Sequence, residues 1–168
     1  MPPLRESGFG FSQLQVLSNN SNTTIANSTQ ISSNGTTANS TQILKTVQIT
    51  AADSKAPTDG NSLNIDLQIQ PFPITKNIDS QFMISFLQPY SQAVQVHVDY
   101  DFAITNNNNE VFRASSITGQ PLLHTAEGIV KIPYKFTQNG QYSLQVNVMG
   151  INFIPIKTEQ ALFDLNVS

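Results

Sequence analysis

Cysteine and tryptophan are both missing from the 168 residues. Without cysteine there is no thiol nucleophile, no zinc–thiolate site, no blue-copper centre and no disulfide framework. Charge is scarce as well: Asp, Glu, Lys and Arg make up 11% of the chain, against roughly 25% in ordinary globular proteins. A net charge of −3 provides no basic field for phosphates, which argues against a nucleic-acid partner. No apolar run reaches the roughly 18 residues of a membrane helix, so no span is expected. The opening MPPLRESGFGF has no basic region followed by an apolar stretch. A secreted form is therefore expected to have lost its signal or to be recorded from downstream of it. Catalytic signatures are missing too: there is no G-x-S-x-G, H-E-x-x-H, Walker or G-x-G-x-x-G motif. The expectation is a non-enzymatic protein without a cofactor.

What is present divides the chain into three parts. The segment from Ser7 to Leu44 carries no charged residue. Its central part, residues 18–42, is dominated by Ser, Thr and Asn, with Ile25 and Ile31 as its only large apolar residues. That composition buries too little apolar area to offset the entropy of ordering it, so a flexible linker is expected. The same stretch repeats ANSTQI at Ala26–Ile31 and Ala38–Ile43 and holds N-x-[ST] sequons at Asn19, Asn22, Asn27, Asn34 and Asn39. A further sequon lies at Asn166. Compositional bias generates sequons by itself. Their confinement to one charge-free tract favours a glycan-bearing stalk outside the cell, with N-glycans attached. Ahead of it, in residues 1–17, Phe9, Phe11, Leu14 and Val16 alternate with Gly, Ser and Gln. This strand-like segment has two readings: docking on its own domain, or insertion into a neighbour's sheet as a donor strand.

Residues 43–168 switch to apolar–polar alternation. Leu63, Ile65, Leu67 and Ile69 form one run, and Phe82, Ile84 and Phe86 another. The longest is AVQVHVDYDFAI, where Val94 through Ile104 alternate with polar residues and are expected on one face. A polar turn at Asn106–Asn109 and a weaker strand at Val111–Ile117 follow. Val130, Ile132, Tyr134 and Phe136 then precede an Asn139-Gly140 turn signal, with Tyr142, Leu144, Val146 and Val148 directly after it. The last pair, Ile151–Ile156 and Ala161–Val167, is expected to kink at Pro155. Short strands with one apolar face each, and no segment of helical period, predict an all-β, antiparallel β-sandwich.

Within this region Gly140, Tyr142, Leu144 and Val146 form G-x-Y-x-L-x-V, which resembles the tyrosine-corner strand of immunoglobulin-like and fibronectin-like domains. Leu144 stands where antibody domains carry cysteine, and Gln138 where the corner usually has Asp. HTAEG at His124–Gly128 together with GINFIPI is similar to a domain of archaeal cell-surface proteins. The resemblance covers Val94 to Val167 and implies an immunoglobulin-like sandwich in a secreted protein.

Titratable groups are few, and one constellation stands out. His97, Asp99 and Asp101 are spaced by two on a strand and are expected on the face opposite the valines. They read as the wet face of an amphipathic strand, so no metal is assigned. The alternative is a copper or zinc site in which His97 and the carboxylates of Asp99 and Asp101 hold the ion, with His124 or Met149 from another strand completing the shell. These features lead to two expectations of function. One is an extracellular structural or adhesive surface protein that self-associates, in its sharpest form a filament subunit exchanging the Gly8–Leu17 strand. The other is a monomeric binding or accessory module among envelope proteins.

Overall fold

A computed structural model describes residues 23–31 and 37–168, with side chains from residue 44 onward. The donor-strand residues Phe9, Phe11, Leu14 and Val16, and the sequons at Asn19, Asn22 and Asn34, lie outside the described residues.

The described chain is almost entirely β. In order, it forms β1 (Thr23–Ile31), β2 (Thr37–Gln48), β3 (Asp53–Pro57), β4 (Asn64–Gln70), β5 (Asp79–Leu87), β6 (Val98–Asn106) and β7 (Asn109–Arg113). A one-turn helix α1 (Ala114–Thr118) follows, then β8 (Leu123–Thr125), β9 (Ile129–Lys135), β10 (Gly140–Ile151) and β11 (Ile154–Val167). One sheet has the order β1-β2-β11-β10-β6-β7, with β8 also on β6; the other is β3-β4-β5-β9. Pairing is antiparallel except for β2 on β11, which run parallel at Thr46–Gln48. The stretch expected as a flexible linker contains β1 and the first half of β2. There the two repeat copies pair with each other, Ala26 opposite Gln42 and Gln30 opposite Ala38.

The two sheets pack through one apolar core. Alternate residues of each strand point inward: Ile65, Leu67 and Ile69; Phe82, Ile84 and Phe86; Tyr100, Phe102 and Ile104; Leu144, Val146 and Val148. Phe82 on β5 meets Phe102 on β6 across the sandwich, ring centroids 5.5 Å apart. Burying each such aromatic stabilises by about 2–3 kcal/mol relative to leaving it exposed, so no disulfide is required. The expected antiparallel β-sandwich is what the chain builds.

Local departures from the pattern have specific causes. The AVQVHVDYDFAI run is not one strand: Val94 and Val96 are exposed, and β6 begins only at Val98. His97 breaks the run because it adopts φ 52°, a left-handed conformation that cannot continue a strand. Asn139-Gly140 is not a hairpin turn but the crossing from β9 in one sheet to β10 in the other. The second half of Val111–Ile117 is helical, not extended. Beyond these, the Tyr142 hydroxyl donates to the Gln138 carbonyl at 2.9 Å. A backbone oxygen is the acceptor in this corner, so the residue type at 138 does not matter to it. On β11 the Glu159 carboxylate accepts hydrogen bonds from Thr58 Oγ1, Ser62 N and Ser62 Oγ, fastening the β3–β4 turn to the other sheet.

Candidate functional site

The three polar residues of the His97–Asp101 run do not share one environment. Asp101 is only 2% exposed. Its Oδ1 accepts from the backbone N–H groups of Phe102 and Ser115, and its Oδ2 from Ser115 Oγ and Arg113 Nη1, the latter at 2.7 Å. Arg113 also engages Glu110, and those two carboxylates hold its proton more tightly than usual, against partial burial. The wet-face expectation therefore fails at Asp101: β7 and α1 fold over that part of the sheet, and a buried carboxylate needs every one of these donors. It is a structural hub, with no lone pair aimed at solvent.

Asp99 sits two residues earlier on the same strand and has a different partner. Strand β8 pairs with the start of β6 and places His124 directly opposite Asp99. His124 Nδ1 donates to Asp99 Oδ1 at 2.7 Å. With Nδ1 as the donor, a neutral His124 ring carries its lone pair on Nε2. His124 Nε2 in turn faces His97 Nδ1 at 3.5 Å. The ring centroids are 5.7 Å apart, so the imidazoles meet nitrogen to nitrogen instead of overlapping face to face. His97 and His124 are thus brought together, Asp99 orients the second of them, and Asp101 is withdrawn.

A third element completes the corner. The two-residue loop between β10 and β11 has φ 53° at Asn152 and φ 65° at Phe153, the signs of a type I′ turn. Asn suits the first position. Phe at the second is strained, since a bulky side chain in the left-handed region costs about 1–2 kcal/mol. The Phe153 ring is 68% exposed and lies 4.4 Å from the His97 ring and 5.4 Å from the His124 ring, centroid to centroid. The loop is held by Asn152 N donating to the His97 carbonyl at 2.8 Å and by Gln95 Nε2 donating to Asn152 Oδ1 at 2.9 Å. His97, Asn152 and Phe153 are all positive-φ residues in one hydrogen-bonded corner. Strain concentrated in this way is a pointer to a functional site.

Gly150 makes the arrangement sterically possible. A β-bulge falls between Val148 and Gly150, opposite Tyr100 and Asp99. A Cβ on Gly150 would collide with the Asp99 carboxylate, so only glycine leaves room for the acid that orients His124. Met149 is the unpaired residue of that bulge.

In chemical terms the corner places two imidazole nitrogens, His97 Nδ1 and His124 Nε2, 3.5 Å from each other. An ion bound by both at about 2.0–2.1 Å requires them no more than roughly 4.2 Å apart, and about 3.4 Å apart at a tetrahedral angle. The observed separation of 3.5 Å falls within that range, and the same two nitrogens are also at the limit of a hydrogen bond to each other when one of them carries the proton. The carboxylate–histidine arrangement at Asp99 and His124 is the one that fixes the tautomer of a ligating imidazole. Among the described residues no group of three His, Asp or Glu side chains is placed to hold a metal, so the donor set from one chain is two nitrogens. Sequence reading named both histidines and Asp99 but missed Phe153, Asn152 and Gly150. A glycine interrupting strand alternation, signalling a bulge or close approach, was the available clue. Of the sequons, Asn166 is exposed on β11, and Asn27 and Asn39 lie on β1 and β2.

No family model matches the chain, and no curated protein matches it. Among solved structures, the soluble domain of PmoD from Methylocystis sp. (Rockwell) is similar over 62% of this chain and 92% of its own, with 15% identity and a TM-score of 0.37.

Proposed function

We propose that this chain is a non-enzymatic, extracellular, immunoglobulin-like binding module that holds a divalent transition-metal ion, copper or zinc, at the His97–His124 corner. The observation that carries the reading is the 3.5 Å approach of His97 Nδ1 to His124 Nε2, with His124 oriented by Asp99. Imidazole nitrogen suits both copper and zinc. The tract of sequons and the likeness of Val94–Val167 to surface-protein domains support placement outside the cell, where N-glycans would cover the N-terminal stalk. Metal titration followed by calorimetry tests it. His97→Asn is the informative variant, since Asn tolerates the positive φ at that position and separates ligand loss from backbone strain. Tight binding by the native chain and its loss in His97→Asn are expected; equal affinity in both ends the reading.

A structural reading stands second, as a self-associating surface or filament subunit. It is favoured by β1, which among the described residues pairs only with β2 and so offers an edge to another strand. Deleting Met1–Leu17 is expected to leave folded monomers and abolish polymer. Unchanged assembly of the truncated protein, seen by negative-stain microscopy, ends it.

A further inference from the structure

The corner provides two donors for an ion that is almost always bound by four ligands in structural sites. Asp99 Oδ1 is already taken by His124, and among the described residues no third His, Asp or Glu converges there. Within one chain the site is half complete.

The surroundings say what completes it. Phe153 is 68% exposed, Ile154 66% and Val96 44%; the Phe153 ring stacks on His124 and lies tilted against His97, while Ile154 follows Phe153 and Val96 precedes His97 along the chain. A metal site open only to water has no use for a strained Phe at its rim. An interface does, because aromatic rings around a polar centre exclude solvent from it. Charge points the same way. The stretches that build the corner, Gln95–Asp99, Leu123–Thr125 and Gly150–Ile154, contain no Lys or Arg, and Asp99 is their only acid. Two copies face to face therefore bring no cationic repulsion. Their two Asp99 carboxylates balance the charge of one divalent ion. A two-fold axis through the ion needs nothing further, since each copy contributes the same two nitrogens.

We propose, on the premise that the corner binds metal, that its occupant is one zinc ion shared between two copies of this chain. Each copy gives His97 Nδ1 and His124 Nε2, and Phe153, Ile154 and Val96 close around the tetrahedral centre. The ion is both ligand and link, so association follows zinc.

Zinc titration of the full-length chain, read by calorimetry and by sedimentation velocity on the same samples, tests this. The expected result is half an ion per chain, a shift from monomer to dimer at that point, and return to monomer on adding EDTA. His124→Ala and His97→Asn should both remain monomeric with zinc. Phe153→Asn keeps a residue suited to the turn and both ligands; it should still bind zinc but dimerise at least tenfold more weakly. Saturation at one ion per chain with the protein still monomeric overturns the shared site and leaves the metal-binding reading standing. A dimer that forms without zinc, or persists in His124→Ala, likewise overturns it. No heat and no shift overturns both.

Discussion

Asp99 and Asp101 lie two residues apart on one strand, both on the outer face of the same sheet, yet they serve opposite ends. Asp101 is buried under β7 and α1, where four hydrogen bonds consume its lone pairs and tie Arg113 and Ser115 to the sheet. Asp99 stays part-exposed, accepts one hydrogen bond from His124 and so presents that ring to His97. One region is fully satisfied and cannot bind anything more. The other leaves its chemistry pointed outward and is built on strained backbone. A carboxylate's role is set by what crosses over it, not by its place in the strand.

The largest effect expected from breaking this contrast is at Asp101. Asp101→Ala leaves the buried Ser115 N–H and hydroxyl and the Phe102 N–H without their acceptor and removes one of the two carboxylates on Arg113, and should cost about 1–3 kcal/mol in urea denaturation. A loss below about 1 kcal/mol would mean that the buried network is not the hub described. At Asp99 the pattern should invert. Asp99→Asn should weaken metal binding about 10–100-fold by calorimetry while moving stability by no more than about 0.5 kcal/mol. Gly150→Ala should reproduce that affinity loss, because its methyl group displaces the Asp99 carboxylate; unchanged affinity would detach Asp99 from the site.

Smaller effects sharpen the comparison away from β6. Tyr142→Phe removes one neutral hydrogen bond to the Gln138 carbonyl and should cost about 1 kcal/mol without touching metal affinity. Glu159 resembles Asp101 in being fully engaged, though nearer the surface. Burial alone would raise its pKa, but hydrogen bonds from Ser62 and Thr58 outweigh this and hold it below the ordinary carboxylate value. A carboxyl lowered on folding contributes stability above its unfolded value and loses it as pH falls through the folded one. Acid denaturation of the native chain should therefore be steeper in that window than that of Glu159→Gln. Identical pH profiles would show that these hydrogen bonds do not favour the ionised form.

Much of this was legible in the sequence. The period-2 runs of β4, β5, β6 and β10 and the Ala161–Val167 half of β11 place their core residues correctly, because a half-buried strand must alternate; the strand expected over Ile151–Ile156 is instead split by the Asn152–Phe153 turn. The Asn106–Asn109 turn and the Tyr142 corner are local motifs and were readable as such. Two of the misreadings share a cause. The strand expected from Val94 is interrupted at His97, whose left-handed φ is held by its N–H donating to the Ala126 carbonyl and its carbonyl accepting from Asn152 N–H, partners far along the chain. Asp101 was assigned to a wet face because nothing in its own neighbourhood announces that Arg113 and α1 will cover it.

The sequence alone therefore determined the class of fold and the core faces, since alternation, absent cysteine and sparse charge are properties of short stretches. Tertiary structure decided how the site is assembled. His97, His124 and Phe153 come from three separate stretches of chain, and only the pairing of β8 and β10 with β6 brings them within a few ångströms. Which polar groups end with a lone pair to spare depends on every donor that the rest of the fold delivers to them, and that count cannot be read along the chain.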